Sequence, residues 1–327
     1  MKKTWASMIV AVVLLVVLTV VSATTGSIKV GGLELIQGLI SGTNKSVQVI
    51  KDLRLPRIIV ALFVGAALAV SGVLLQAVMR SPLADAGVIG ISSGSGVFSL
   101  LFVTLFPTFF FWLPLFAFLG GAIACFLVYS LSWKSGLSPI RIILVGIAVN
   151  ATFAGLGQSF NYRGSYAVTS INPATTSTFT MKTWGDVQVM AIYGTLGLIV
   201  ALMLASWCNL LSLQDKSAQN LGLNVTKARL VVSIVAVLLA AAATAIGGLI
   251  AFVGLLIPHI SRLLVGSDHK VLIPFSALAG ALLILLADTL GRTVLAPSEI
   301  PASIIMTVIG GPFLIFLLRK SERLHGN

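Results

Sequence analysis

The chain has 327 residues, of which 57% are hydrophobic and only 9% are charged, and its formal net charge is +12. Because a soluble domain carries about 25% charged residues, this composition excludes a water-soluble globular protein and predicts an integral membrane protein. The basic residues stand singly between apolar runs, which argues against nucleic-acid binding and is typical of Lys and Arg placed by the positive-inside rule.

The first apolar run, residues 6–25, follows Lys2 and Lys3. Val21, Ser22 and Ala23 offer the small-residue pattern of a signal-peptide cleavage site. The run is also long enough to span a bilayer. We therefore expect a retained first helix with a cytoplasmic N-terminus, and cleavage is the alternative.

Nine further apolar runs follow, separated by polar residues, glycines or prolines. A spanning helix needs about 20 apolar residues, and only the eighth run is so short that it requires protein neighbours to bury it. The predicted fold is an all-α integral membrane protein with about ten transmembrane helices in one domain, residues 1–327. The ten runs are 6–25, 55–79, 86–106, 110–132, 139–160, 188–209, 228–250, 257–266, 271–290 and 302–319.

An even number of spans returns the C-terminus to the side of the N-terminus, so both ends are predicted to be cytoplasmic. With this orientation most of the 21 Lys and Arg residues fall in cytoplasmic segments, as the positive-inside rule requires. The exceptions are eight basic residues in outer segments, among them Arg163, Lys182 and Arg292. The other five crowd the first outer segment and suggest an acidic partner there: Lys29, Lys45, Lys51, Arg54 and Arg57.

Two parts of the chain are loosely alike. "GAALAVSGVLLQAVMRSPLADAGVIG" in the second helix and its exit is similar to "AAATAIGGLIAFVGLLIPHISRLLVG" in the seventh and eighth helices. Each is a helix of small residues followed by a proline, a basic residue and a segment that ends in glycine. Since an odd number of crossings separates them, we predict an inverted repeat of helices 2–5 and 7–10.

Several kinds of chemistry have no signal in the sequence. No phosphate-binding loop occurs, so the chain is not expected to hydrolyse ATP by itself. His259, His269 and His325 form no metal-ligand spacing with Cys125 or Cys208, and we treat both cysteines as buried apolar side chains. Neither a cofactor nor an enzymatic activity is therefore expected.

Asp288 is the only acidic residue well inside an apolar run, and Arg292 is its expected i, i+4 partner. Transport coupled to an ion gradient usually requires paired ionisable residues within the membrane. Their scarcity predicts that the chain takes its energy from a partner protein.

The segment "LSLQDKSAQNLGLNVTKARL", residues 211–230, is the most polar of the predicted cytoplasmic loops. Its pattern predicts a short helix over 214–220, a break at Gly222 and a second helix that enters the seventh span. Such a segment can present a surface to a soluble motor protein. The alternative is an ordinary solvated loop.

Several long motifs in order carry a family resemblance: "LRLPR", "GAALAVSGVLLQAVMRSPLADAGVIGISSGSG", "SAQNLGLNV", "FVGLLIPHISRLLVGSDHKVLIPFSALAGALLILLADTLGR" and "EIPASIIMTVIGGPFLIFLLRK". Over residues 25–320 the chain resembles the FecCD family, the permease subunits of type II ABC importers for iron–siderophores, haem and vitamin B12. The segments "TTGSIKVGGLELIQGLISGTNKSVQVIKDLRLPR" and "TMKTWGDV" and the ending "EIPASIIMTVIGGPFLIFLL" most resemble haem permeases of Gram-positive surface haem-uptake systems.

The resemblance implies import of an iron chelate, haem or a ferric siderophore, across the cell membrane. It implies a second permease subunit, either a copy or a paralogue, cytoplasmic ATP-binding subunits and an extracytoplasmic substrate-binding protein or lipoprotein. The identity of the ligand and of the second permease stays open. The alternative function is a stand-alone secondary transporter or exporter of a small molecule, which would need charged residues within the membrane.

The resemblance also implies roles for two sets of residues. Arg54, Arg57 and Arg292 match arginines that face acidic residues of the binding protein. Residues 212–224 match the coupling helices that insert into a groove of the ATPase, although Ser217 and Asn220 are less typical. The matching coupling positions are Gln214, Ala218, Leu221, Gly222 and Leu223.

Overall fold

The structure is a computed structural model that describes residues 2–25, 48, 50–132, 139–163, 179–296 and 298–325. Within these ranges the regular elements are helices. The α-helices are α1 (Lys2–Thr24), α2 (Leu55–Met79), α3 (Ile91–Leu105), α4 (Leu113–Ser132), α5 (Pro139–Arg163), α6 (Trp184–Met203), α7 (Ala205–Leu211), α8 (Asp215–Asn220), α9 (Val225–Gly247), α10 (Val253–Val265), α11 (His269–Thr293) and α12 (Ala302–His325).

The number of membrane-crossing helices agrees with the prediction. In the described part of the chain, seven helical segments are long and apolar enough to cross a bilayer, and α3, α10 and α12 add three shorter apolar helices. Together these ten helices match the ten predicted runs. The all-α membrane architecture is therefore confirmed.

Three helix boundaries differ from the prediction. The third predicted run begins as a turn, because residues 80–90 contain Pro82 and a left-handed Gly90, and α3 begins only at Ile91. The sixth run is divided at Leu204 into α6 and α7. The eighth run gives a helix of 13 residues, and its N-terminal half, from Val253 to Pro258, is buried by neighbouring helices as expected.

The helix contacts have the symmetry of the predicted repeat. In the predicted repeat, α9 corresponds to α2, α4 to α11 and α3 to α10. Helix α2 packs on α11 and α10, and α9 packs on the corresponding pair, α4 and α3. Contacts of α3 with α4 and α5 likewise correspond to contacts of α10 with α11 and α12. The two central helices, α2 and α9, pack against each other. This packing supports an inverted repeat of helices 2–5 and 7–10.

Helix α2 lies at the centre of the bundle and is the most buried of the seven long spans. Glycines bring its backbone against two neighbours. A Cβ atom placed on Gly65 would overlap the backbone of Gly280 in α11, and one on Gly72 would overlap Gly254 in α10. Because small residues allow helices to approach closely in lipid, the small-residue pattern of the second run is explained by packing.

The buried carboxylate of Asp85 joins the turn before α3 to the turn before α10. Asp85 accepts hydrogen bonds from the backbone N–H groups of Gly87 at 3.1 Å and Phe252 at 3.4 Å. Burial raises the pKa of Asp85, and the backbone hydrogen bonds act in the opposite direction. The carboxylate therefore links residues 80–90 to the start of α10.

Helix α1 is held to the bundle although most of its surface is exposed. It packs against α11, α10 and α2. The last carbonyl groups of α1 accept hydrogen bonds from arginines of other segments: Ala23 from Arg54, and Ser22 and Thr25 from Arg292. These contacts attach the C-terminal end of α1 to α2 and α11.

Candidate functional site

Two polar clusters lie at opposite ends of α2, and the first surrounds Arg57. Its Nη2 lies 2.7 Å from Oδ1 of Asp288 in α11, and its Nε lies 2.9 Å from Oδ2 of the same carboxylate. Nη1 donates to Glu299 at 3.0 Å, and Glu299 also accepts a hydrogen bond from Thr180 at 2.7 Å. We call these four residues the outer cluster.

Burial makes the pairing within the outer cluster important. The side chains of Arg57 and Asp288 are 12% and 3% exposed, whereas Glu299 is 39% exposed. A buried charge without a partner is costly, so each of the two buried groups requires the other. Burial alone would raise the pKa of Glu299, but the hydrogen bond from Thr180 and the charge of Arg57 lower it below its ordinary value.

Arg54 and Arg292 have a different environment, because both donate to the C-terminal end of α1. Nη1 of Arg54 lies 3.0 Å from the carbonyl oxygen of Ala23, and Nη1 of Arg292 lies 3.0 Å from that of Thr25. The last carbonyl groups of a helix lack partners within the helix and carry a partial negative charge. The two guanidinium groups therefore cap α1.

The outer arginines thus lie close together, as their shared predicted role requires, but each has a partner within the chain. The expected pair of Asp288 with Arg292 is replaced: among the described residues, Asp288 forms its ion pair with Arg57. The i, i+4 spacing predicted Arg292 as the partner of Asp288, but Arg57 is the residue that donates to both carboxylate oxygens of Asp288. Lys29 and Lys45 lie outside the described residues.

The second cluster lies at the C-terminal end of α2, which is the cytoplasmic end in the predicted orientation, around the short helix α8. Asp215, the first residue of α8, accepts hydrogen bonds from Arg80, which follows α2, and from Arg229 of α9 at 2.8 Å. Arg80 also donates from Nε to the carbonyl oxygen of Leu211 at 2.8 Å. We call Arg80, Asp215 and Arg229 the inner triad. It attaches α8 to both central helices.

The C-terminus of α8 is closed by a Schellman motif. Gly222 has a left-handed backbone, with φ of +83°, and its N–H donates to the carbonyl of Gln219 at 2.8 Å. The N–H of Leu223 donates to the carbonyl of Ala218 at 3.1 Å. Glycine adopts this conformation without the steric cost that a side chain brings. The predicted helix, break and second helix are therefore present.

The residues predicted to couple the chain to an ATPase divide into an exposed and a buried group. Leu221 is 64% exposed, and Gln214 and Gly222 are also exposed. Ala218 is 0% exposed and Leu223 is 9% exposed, so these two side chains hold α8 in place instead of facing outward. Leu213, which the sequence did not single out by number, is 41% exposed and directly precedes Gln214 in the chain.

Sequence reasoning missed the partners that complete both clusters. Glu299 and Thr180 lie in loops far from Arg57 in sequence, and nothing local marks them as its neighbours. Asp215 had one available signal, an acidic residue at the start of a predicted helix, where it interacts favourably with the helix dipole. Its pairing with two distant arginines has no local signature.

Comparison with known proteins agrees with this geometry. The model of the FecCD transport family matches residues 14–320. The chain is 42% identical over 311 residues to a protein of Staphylococcus aureus strain MSSA476 that is described as the heme-iron transport system permease protein IsdF, covering 95% of this chain and 94% of that protein. The corresponding protein of strain Newman is 41% identical over the same length.

Solved structures share the architecture. A metal-chelate type ABC transporter in an inward-facing conformation matches with a TM-score of 0.79 and 32% sequence identity, covering 97% of this chain and 99% of that chain. PsaBC from Streptococcus pneumoniae, solved in complex with a Fab, matches with a TM-score of 0.62 and 17% identity over 87% of this chain and 94% of that one. The second match shows similarity of fold only.

Proposed function

Because this chain belongs to the FecCD transport family, it is a membrane-spanning permease subunit of an iron-chelate ABC importer, and we propose that the chelate is haem. The observation that carries the choice of haem is the 42% identity, over 95% of the chain, to a protein described as a heme-iron permease. A ferric siderophore is the second candidate, because the same family resemblance includes siderophore permeases.

We propose that the ATP-binding subunit docks on the exposed surface of Gln214, Leu221 and Gly222, with Leu213 beside it. Two observations support this. Leu213 and Leu221 are exposed apolar side chains in the most polar inner loop, and such side chains favour contact with a partner. The inner triad and the buried Ala218 attach α8 to α2 and α9, so a force applied to α8 reaches the central helices.

We propose that the binding protein docks at the outer end, near Arg54, Arg57 and Arg292. Arg57 already has two acidic partners within the chain, Asp288 and Glu299, so its charge is balanced and it contributes less to docking than Arg54. Arg54 is partly exposed, and a guanidinium group has five N–H donors. It can therefore cap α1 and still bind a carboxylate of a partner.

We propose that a second permease subunit packs along α5. Several small and polar residues lie exposed on this helix among larger apolar ones such as Leu144 and Ile147, and small residues allow close helix–helix contact in lipid. The exposed residues include Ala148, Ala151, Thr152, Gly155 and Ser159. A cavity of about 210 Å³ adjoins this helix and is lined in part by Ser93 and Gln158, which supports a path for a polar solute beside it. Isolation of the assembled transporter with one permease subunit per particle would contradict this.

The proposed orientation places both termini and α8 in the cytoplasm. It follows from the ten spans and from the excess of basic residues on that side. A reporter enzyme that is active only in the cytoplasm, fused after Leu324, should be active. Activity of a strictly extracellular reporter at this position would reverse the orientation.

Growth on a single iron source tests the ligand. A strain that lacks this chain, supplied with haem as its only iron source, should stop growing and should recover when the chain is expressed from a plasmid. Growth on a ferric hydroxamate siderophore should be unaffected. The opposite pattern, loss of growth on the siderophore and normal growth on haem, would replace haem by a siderophore as the substrate.

A further inference from the structure

A groove runs along the outside of the bundle between α4 and α9, and the proposed transport cycle does not use it. It encloses about 350 Å³. Ala122 and Ser233 are small residues that form part of its wall, and Phe126 and Leu230 stand at its edges with 70% and 62% of their surface exposed. The groove is therefore open to the surroundings of the protein.

The length of the groove suits one hydrocarbon chain. Its lining residues recur every three or four positions, from Phe118 to Tyr129 in α4 and from Thr226 to Val237 in α9. Eleven residues of helix advance about 16 Å, which is about half of the 30 Å hydrocarbon thickness of a bilayer. A groove of this length extends through one leaflet.

One end of the groove carries a positive charge. Arg229 lines the groove near the start of α9, and its side chain is 11% exposed. The inner triad contains two guanidinium groups and one carboxylate, so one positive charge remains unbalanced within it. The guanidinium group of Arg229 also hydrogen-bonds to Tyr129 in the wall of the groove, while its Nε atom is buried and has no hydrogen-bond acceptor among the described residues. An anionic group at this end would balance the remaining positive charge and interact with the part of the guanidinium group that faces the groove.

We propose that this groove binds an anionic phospholipid, with one acyl chain between α4 and α9 and the phosphodiester at Arg229. The large apolar side chains at its edges, Phe126 and Leu230, are typical of a lipid-facing surface. In the proposed orientation this lipid belongs to the cytoplasmic leaflet. Because the phosphodiester would contact the triad that holds α8, the bound lipid would stabilise the position of the coupling segment.

Native mass spectrometry of the purified, detergent-solubilised chain tests the site. After delipidation the protein is titrated with phosphatidylglycerol or with phosphatidylcholine of the same acyl chains. We expect one phosphatidylglycerol per chain to bind at least about tenfold more tightly than phosphatidylcholine, as one charge-assisted contact implies. Arg229→Met should remove the preference and Arg229→Lys should retain most of it. Inorganic phosphate alone should not compete, because it lacks the acyl chain.

A substitution that fills the proposed groove, compared with one that fills a different groove, distinguishes a specific lipid site from general lipid binding. Ala122→Phe fills the groove and should abolish the tight phosphatidylglycerol adduct. Ala279→Phe fills another apolar groove, between α1 and α10–α11, whose lining contains no charged residue, and should leave the adduct intact. Size-exclusion chromatography of each variant confirms folding.

Equal affinity for both lipids, or loss of the adduct in Ala279→Phe but not in Ala122→Phe, would overturn the proposal. Dissociation of a permease dimer by Ala122→Phe would assign the groove to a second subunit instead and would equally overturn it. These measurements use the chain without its transport partners, so their failure leaves the proposed import function untouched.

Discussion

At the scale of single residues, the structure changes the interpretation of the outer arginines. The sequence predicted a group of basic side chains for a partner, and their position at one end of the bundle could be anticipated from the helix boundaries. Their partners could not be anticipated, because Asp288 and Glu299 are more than 200 residues away from Arg57 and only the packing of α2 on α11 brings them together. The charge of Arg57 is consequently used within the chain.

Removal of Arg57 should destabilise the fold. Arg57→Met leaves the buried Asp288 without its cation, and the free energy of unfolding should fall by about 3–5 kcal/mol. The double variant Arg57→Met, Asp288→Leu removes both charges and should recover most of this loss. Thermal unfolding of the solubilised protein provides the measurement, with the exposed Lys51→Met as control. Equal destabilisation in the single and double variants would show that the pair is not the cause.

Arg54 is the better residue for a test of docking, because its reversal leaves no buried carboxylate without a partner. Arg54→Glu should weaken binding of the binding protein by up to about tenfold, since an exposed contact contributes about 0.2–1 kcal/mol and repulsion replaces it. The effect should diminish at 1 M salt, because the Debye length is then only about 3 Å and charges interact over shorter distances. Surface plasmon resonance measures the affinity. An effect of the same size from Arg54→Lys would indicate a steric cause and remove the electrostatic explanation.

At the scale of helices and loops, the coupling segment could be predicted well because its signals are local. A polar stretch and a glycine at its C-terminal boundary predicted α8, the break at Gly222 and the start of α9. The sequence did not separate the side chains that face outward from those that face inward. Burial of Ala218 and Leu223 depends on packing against the rest of the bundle, and so does the inner triad.

Substitutions at Gly222 should separate backbone strain from contact with the ATPase. Gly222→Asn should retain coupling, because Asn tolerates the left-handed region. Gly222→Arg should abolish stimulation of the ATPase by the loaded binding protein, because a bulky cation is placed on the proposed contact surface. Gly266→Arg is the matched control, since Gly266 also has a left-handed backbone, with φ of +88°, and open space around it. Loss of stimulation in the control as well would mean that strain, not contact, is responsible.

At the scale of the whole molecule, composition and the pattern of apolar runs were sufficient to predict a membrane protein with ten helices. The loose likeness of two segments was sufficient to suggest the repeat that the contacts of α2 and α9 now support. The predicted helix boundaries were wrong where tertiary contacts override the apolar pattern. In residues 80–90, for example, hydrogen bonds to Asp85 hold a non-helical turn inside the bundle. The direction of transport and the energy source come from family membership.

Import driven by ATP through partner proteins is the central claim, and reconstitution tests it most directly. The chain is inserted into liposomes with its ATP-binding subunit, and haem-loaded binding protein is added outside. Haem accumulation in the lumen should require both enclosed ATP and the binding protein, and an ion gradient should have no effect. Haem uptake by the chain alone, driven by an ion gradient without ATP, would contradict the account and identify a secondary transporter.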